Sequence, residues 1–439
     1  MSWRMILMTN QKIKLSDEQL RIVDSKESNI IVDAGAGSGK TRVLIERVRK
    51  LLENGVNPKS MVIITFTNMA ADELLERLSD IKESKKCFVG TIHSYANKLL
   101  KSSGYQFDIF SEQYQDQFMQ NLITDFAKYS TFDDYLTYKS FIKDCSLGKR
   151  DRDNIDNILD LDVIHELEIL LGTHLCRNDE KTMYPHNIKT ISKINNIITF
   201  DELISITTTY FSKLNCSLDY LFVDEVQDIG YLEYNFLKSL SAKNNFFIGD
   251  DYQSIYSFKG GDVQIFLSLM KNPNWKTYYL KDNYRNGKFI LDAANQIIKR
   301  SDDIIEKNSV CKSNKLGSLE FKAASLITSY FQNITDGKDW FLLVRLNKEL
   351  ELLSRIFKKS EIPFICFKQS QLTSAQLKKA VNFNGVKLLT IHSSKGLESK
   401  NVALYGKLPI NPKKSANSEE IKILYVGMTR AKEKLVIFN

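Results

Sequence analysis

A lysine and a hydroxyl that close a run of small residues can hold a phosphate. This chain has that arrangement in Ala34-Gly35-Ala36-Gly37-Ser38-Gly39-Lys40-Thr41. Glycines let the backbone turn back so that successive N–H groups, here those of Ala36, Gly37, Ser38 and Gly39, face one anion at a helix N-terminus. Lys40 then reaches the β and γ phosphates and the Thr41 hydroxyl ligates Mg²⁺, so the pattern predicts a bound nucleoside triphosphate with its metal. Ala34 stands where the strict pattern has glycine. A second cluster, Asp224-Glu225-Val226-Gln227-Asp228, puts two adjacent carboxylates after an apolar run. Such a pair is costly unless a cation is near, and magnesium on a nucleotide meets the need: Asp224 holds the ion, and Glu225 orients and deprotonates the attacking water. Gln253, after Phe246-Phe247-Ile248-Gly249-Asp250, offers a neutral amide to sense a γ-phosphate.

These groups need strands and helices to aim them. Ile30-Ile31-Val32 reads as a strand into the phosphate loop, and Leu44, Val48 and Leu51 keep helical spacing after it. Met61 to Ile64, Leu218 to Val223 and Phe246 to Ile248 are further buried-strand candidates. Upstream, Ser16 is a plausible helix cap. Gln19 is either a helical surface residue or a reader of an adenine edge, since its carboxamide offers donor and acceptor together. Thr65-Phe66-Thr67-Asn68 and Gly90-Thr91-Ile92-His93-Ser94 place small polar groups at strand ends, where α/β sheets put ligand contacts. They suit phosphodiester oxygens or simply cap helices. Tyr256 and Phe258, two apart, offer ring faces to bases or belong to a core.

The 439 residues exceed what one core usually supports, so two or more domains are expected. A formal charge of +8, from 61 Lys and Arg against 53 Asp and Glu, favours a polyanionic partner only modestly. The six cysteines are scattered without a Cys-x-x-Cys pair, which points to a reducing compartment and to no zinc or iron–sulfur framework. His174, Cys176 and His186 are read as surface or helix residues and not as a metal cluster. No long apolar run suggests a membrane span or secretory leader, and a soluble cytoplasmic protein is expected.

From about Tyr95 to Leu203 the texture changes to alternating aromatic, charged and short apolar stretches, read as a largely helical insertion. Lys139, Lys143, Lys149, Arg150 and Arg152 in it form either a basic nucleic-acid face or a solvated helix surface. A second unit begins at Leu280 to Arg285, with strands expected at Trp340 to Arg345, Ile362 to Phe367, Val386 to Ile391, Val402 to Tyr405 and Leu435 to Phe438. Strands alternating with helices imply a second mostly parallel sheet. The fold class is therefore α/β, with residues 1–94 and 204–279 forming one nucleotide-binding domain, 95–203 inserted in it, and 280–439 the second domain.

Nine segments, taken together and in order, resemble the superfamily 1 DNA helicases of the Rep, UvrD and PcrA type. They are LSDEQL, AGAGSGKTRVL, ITFTNMAADEL, GTIHSYA, FVDEVQD, GDDYQSIYSFKGG, LKDNYR, LLTIHSSKGLE and LYVGMTRAKEKL. The resemblance spans nearly the whole chain. It implies two RecA-like domains, ATP hydrolysis with Mg²⁺ in the cleft between them, and 3′-to-5′ stepping along single-stranded DNA with unwinding of tailed duplexes. It further implies that Gln19 binds adenine and that Arg42 and Tyr284 sandwich the base. Arg285 and Arg430 would complete the charge clamp on the transferring phosphoryl group around Lys40, Glu225 and Gln253, and Glu398 would link nucleotide and strand sites. Phe66, Thr67, His93, Tyr256, Phe258 and His392 match residues on the DNA side.

Three departures stand out. Phe258 occupies a position usually filled by tryptophan, and Lys259 one where arginine is common; lysine lacks the bidentate fork. Only about 106 residues separate Arg285 from His392, where the family normally inserts a large helical subdomain. The expectation is a compact motor core with the first accessory subdomain and little of the second. It works either alone or as the nucleotide-gated motor subunit of a repair or defence complex with a nuclease or another protein partner.

Overall fold

The computed structural model describes residues 14–109, 120, 123–124, 127–138, 159–160, 162–164, 166–167, 197–211, 218–257, 260–368, 376, 379–380, 382–409 and 417–439. They form two compact units, Met1–Ile92 with Asn215–Asn439, and His93–Leu214. The helix Phe200–Phe211 therefore belongs to the second unit, past the expected end of the insertion at residue 203. Lys139, Lys143, Lys149, Arg150, Arg152, His174, Cys176 and His186 lie outside the described residues, as do Phe258 and Lys259. Among the described residues no helix is long and apolar enough to cross a membrane.

The first unit contains two six-stranded parallel sheets. The first is built from β1 (Asn29–Ala34), β2 (Met61–Ile64), β3 (Phe88–Gly90), β6 (Tyr220–Val223), β7 (Asn244–Gly249) and β8 (Lys276–Leu280), in the order β3-β2-β6-β7-β1-β8. The numbers between belong to the second unit's short pair, β4 (Asp108–Ile109) and β5 (Ile197–Ile198). Strands of a parallel sheet covered on both faces read as continuous apolar runs. Met61-Val62-Ile63-Ile64 and Ile30-Ile31-Val32 are buried throughout, which is why period-two alternation is missing from them. Because β6, β7 and β1 are neighbours running the same way, the residues that follow them emerge at one edge. Asp224, Asp250 and the phosphate loop are brought together by strand order alone. Leu280, expected to open the second domain, instead pairs with Ala34 as the last residue of β8.

The second sheet has the order β11-β16-β15-β12-β14-β13, with β11 (Ser318–Lys322), β12 (Trp340–Val344), β13 (Phe364–Cys366), β14 (Val386–Thr390), β15 (Ser399–Tyr405) and β16 (Ala431–Phe438). Between the sheets, β9 (Asp282–Asn283) pairs with β10 (Val310–Cys311). Strand β16 starts at Ala431 and not at Leu435, so Arg430 sits directly at its head, behind the helix Ser418–Met428. One core cluster joins Ala36, Tyr252, Ile255 and Tyr256 of the first half to Ile290, Leu389, Tyr425 and Leu435 of the second.

A buried ion cluster ties the segment after the helix Lys288–Ile298 to the first sheet. The Lys307 ammonium contacts Asp33, and reaches Asp250 Oδ1 at 2.8 Å and Asp251 Oδ1 at 2.5 Å; all four side chains are almost fully buried. It also lies 4.3 Å from the Tyr252 ring centroid. The three carboxylates have the spacing of a cation site, and the protein's own ammonium fills it. Burial works to lower the Lys307 pKa, but Asp250, Asp33 and Asp251 outweigh it and hold the ammonium well above its ordinary value. Burial pushes Asp33 up to about 7, with Lys307 opposing and Asp251 and Asp250 reinforcing.

Two outcomes are expected. Lys307→Met, which strands three dry carboxylates, should cost about 3–5 kcal/mol of stability in denaturant unfolding. Asp33 in the folded protein keeps a proton that the unfolded chain releases near 3.8, so its contribution is present at low pH and lost as pH rises through about 7. The melting temperature of Asp33→Asn relative to the parent should therefore be more favourable above that range than below it. A pH-independent difference would remove Asp33 as the titrating member.

Candidate nucleotide site and strand-facing residues

The phosphate loop is a turn held from two sides. Gly37 and Gly39 take φ of 66° and 88°, the left-handed region open to glycine. Gly39 caps the helix Lys40–Glu53, so the loop N–H groups lie at its N-terminus. Gln19, in the helix Asp17–Asp24, accepts from Ser16 N–H at 3.1 Å and donates to the Ser38 carbonyl at 3.0 Å. Its amide braces the loop and keeps one donor and one acceptor position beyond those bonds. From the other side, Asn283 donates to the Ala36 carbonyl at 2.7 Å and Tyr284 N–H to the Gly37 carbonyl at 2.9 Å. A Cβ on Gly37 would meet Arg285 Cβ at 2.6 Å, so the loop and the segment after β8 are in backbone contact. The Tyr284 ring is exposed, and its hydroxyl donates to Asp282 at 3.2 Å. Arg42 is half-buried on the first turn of the loop helix.

Lys40 Nζ lies 3.3 Å from Glu225 Oε2. Burial disfavours both charges. Glu225, Asp250 and Asp224 together outweigh it at Lys40 and raise the ammonium, while Lys40, Lys395 and a hydrogen bond from Gln227 hold Glu225 down at about 2. Glu225 has φ 54° and ψ 40°, a left-handed conformation unusual for a side chain with a Cβ. Asp224 is buried and pushed up to about 7, first by burial and then by Glu225, with Lys40 opposing. A divalent cation would relieve that load, and a buried carboxylate with the Thr41 hydroxyl is a hard-oxygen donor set suited to magnesium.

The expected partners of the γ-phosphate converge. Gln253 is buried; its amide N–H reaches Asp250, and its Oε1 accepts from Arg430 at 2.8 Å. The Arg430 guanidinium is 1 % exposed and also donates to the Val426 and Leu397 carbonyls at 3.0 and 3.2 Å. Burial, and then the neighbouring Arg285, lower its pKa. Arg285 Nε donates to Glu398 at 2.6 Å, and Lys432 pairs with the same carboxylate. Burial raises Glu398, but Arg285 and Lys432 outweigh it and hold it at about 2.

The strand-facing set is placed differently from expectation at two residues. Tyr256, expected to offer its ring to a base or to belong to a core, is 3 % exposed, stacked on Phe66 at 4.9 Å between centroids with the Lys395 ammonium 4.9 Å from its own. Its hydroxyl donates to the His392 carbonyl at 3.4 Å, and His392 is itself buried, after β14. Both are enclosed where the two halves of the core meet, with their rings 6.1 Å apart. Phe66 is partly buried in the same cluster, and Thr67 caps the helix Asn68–Arg77 by accepting from Ala70 N–H at 3.1 Å. His93 belongs to the other unit, 5.2 Å from Phe200 in an edge contact.

Sequence reasoning passed over several residues that shape this site. Lys395 contacts Asp228 and donates to the Gln253 carbonyl at 2.7 Å, although the motif around it had been quoted. Asn286 donates to the Thr429 and Ala431 carbonyls at 3.1 and 2.6 Å and accepts from Asn283, so two amides join the phosphate loop to the head of β16. Lys307 carried no local signal at all. Asp33 did: one acid interrupts an otherwise apolar strand.

Comparison with known proteins agrees with this geometry. The profile of the UvrD/REP helicase N-terminal domain matches residues 15–274, and that of the UvrD-like helicase C-terminal domain matches 278–380 and 367–439. The ATP-dependent DNA helicase PcrA of Staphylococcus aureus strain COL is 29 % identical over 384 residues, covering 80 % of this chain and 50 % of that protein. The protein of the same name from Staphylococcus epidermidis gives the same identity and coverage. The chain thus spans about half the length of the curated relatives it matches. With a glycine-turned phosphate loop, an acid pair and two arginines from beyond the first sheet in one place, and with both domain profiles matched in order, this chain belongs to the UvrD/REP helicase family.

Proposed function

We propose that the chain is an ATP hydrolase that uses the reaction to move along single-stranded DNA, 3′ to 5′, and to open tailed duplexes. The observation that carries this reading is the Gln253–Arg430 hydrogen bond beside the Lys40–Glu225 pair. It puts the neutral amide and the guanidinium from opposite sheets next to the phosphate loop. On this reading the two parallel sheets, divided after Leu280, are the two lobes of the motor, and the unit His93–Leu214 is an accessory insertion. The likeness to proteins named ATP-dependent DNA helicases supports the substrate pair.

The roles follow from the geometry. Loop N–H groups from Ala36 to Gly39 and the Lys40 ammonium take the β and γ phosphates. Tyr284, exposed beside Gly37, and Arg42 cover the base; the free donor and acceptor of Gln19 meet its edge. Thr41 and Asp224 are the residues that would hold Mg²⁺, which when bound would supply charge neutralisation at the phosphates. Lys40, drawn to phosphate, leaves Glu225, which then takes the proton of the attacking water. Gln253, Arg285 and Arg430 bear on the γ-phosphate oxygens where charge accumulates. Because Arg285 and Arg430 belong to the second lobe, loss of the γ-phosphate weakens closure, and closure alters grip on a strand held by Phe66, Thr67 and Phe258.

Variants and substrates test this. Lys40→Ala should lose nucleotide affinity in equilibrium binding. Glu225→Gln should bind ATP yet hydrolyse it at least about 10²-fold more slowly, and hydrolysis near the parent rate would remove the general-base assignment. Phe258→Ala should lose roughly 1–3 kcal/mol of single-strand affinity and waste ATP without stepping. ATP turnover should rise with single-stranded DNA, and 3′-tailed duplexes should be displaced ahead of 5′-tailed ones. Turnover without displacement of either would favour a nucleotide-gated DNA-binding subunit over a helicase.

A further inference from the structure

Gln227 is fully buried and every polar atom of its amide is spoken for. Nε2 donates to Glu225 Oε2 at 2.5 Å and to Asp228 Oδ2 at 3.1 Å. Oε1 accepts from the Asp250 N–H at 2.9 Å. The orientation is fixed by its neighbours, since the reverse would set an oxygen against two carboxylates and an amide against an N–H. The last residue of β7 leaves the space: a Cβ on Gly249 would meet Gln227 Oε1 at 2.5 Å. The backbone is tied in as well, with Ser254 Oγ donating to the Gln227 carbonyl at 3.2 Å.

We propose that Gln227 is a positioning residue that holds the Glu225 carboxylate for hydrolysis and locks it to the segment 250–254 that carries Gln253. The proposal rests on the reading of Glu225 as general base. Among the described residues two side chains donate hydrogen bonds to Glu225, Lys40 and Gln227, and both use Oε2. When Lys40 turns to phosphate, the Gln227 N–H is what keeps Oε2 engaged. That leaves Oε1 as the oxygen that accepts the proton of water, with its direction fixed. A change in Gln253 on γ-phosphate loss passes through Asp250 to the same amide, so sensing and base orientation form one unit.

The test uses the full chain with three variants. Gln227→Met keeps shape without a donor. Gln227→Glu keeps shape and donates only when protonated, which its neighbours Glu225 and Asp228 favour, with Lys40 and Lys395 opposing. Glu225→Gln reports on the base itself. Circular dichroism and melting curves establish folding, and affinity is read with a non-hydrolysable ATP analogue. Gln227→Met should lower kcat by about 30-fold or more with analogue affinity within about threefold of the parent, the split expected of an interaction made in the transition state. The kcat deficit of Gln227→Glu relative to the parent should shrink at least about fivefold between about pH 8.5 and about pH 6, as the acid regains its proton.

A folded Gln227→Met with kcat within about threefold of the parent would overturn the proposal, as would kcat and affinity falling together. Should that variant not fold, Gln227→Glu decides: a deficit equal at both pH values overturns it. An active Glu225→Gln would instead overturn the base reading, whereas an inactive one beside an active Gln227→Met would sink the positioning role alone.

Discussion

Carboxylates shut away from water must meet positive charge, and at the edge of the first sheet most of that charge comes from elsewhere in the chain. Asp33, Asp224, Glu225, Asp228, Asp250 and Asp251 follow or end strands β1, β6 and β7, and the first sheet's own loops bring Lys40 to them. Lys307 and Lys395 arrive from beyond residue 280, and Arg430 reaches Gln253 from the same side. Leaving a buried charge unpaired costs several kcal/mol, so the edge is stable only with the second sheet against it. The same dependence makes the edge responsive, since a ligand that brings its own charges competes for these cations.

That competition has a structural route to the aromatic cluster. Lys395 holds Asp228 and the Gln253 carbonyl while its ammonium lies over the Tyr256 ring, whose other neighbour is Phe66. On the proposed reading, nucleotide chemistry at Gln253 and strand contact near Phe66 share this one lysine. A ligand shifts such a pair of states only by the difference in its affinity for them. A γ-phosphate touching both lobes supplies a difference that a diphosphate does not.

How much of this could be read beforehand depended on whether a residue's neighbours in space were also its neighbours in sequence. The phosphate loop, the strands feeding it and the acid pair were legible because turn, strand and helix signals are local. Both sheets followed from apolar runs alternating with helical periodicity. Tyr256 was left open between platform and core because exposure of an aromatic is decided by what packs on it, and here that includes a segment more than a hundred residues away. Lys307 was missed for the same reason: a lysine among polar residues looks solvated until three distant carboxylates surround it. Gln19 was read for a donor and an acceptor, of which the loop engages one donor at Ser38 and the helix cap the acceptor at Ser16. The head of β16 was placed late because Ala431 to Lys434 are charged or small, and the parallel pairing that recruits them is invisible locally.

Glu225 shows why such long-range contacts matter to the chemistry. A left-handed backbone at a residue with a Cβ costs of order 1–3 kcal/mol, and persists only when surroundings over-determine it. Hydrogen bonds to a charged group are worth about 1.5–3 kcal/mol each, and its carboxylate receives two, from Lys40 and Gln227. Asp250 N–H anchors the second of these, and Asp250 is anchored in turn by Lys307. The strain at the proposed base is thus carried by a chain of contacts that starts in the distant segment after helix Lys288–Ile298.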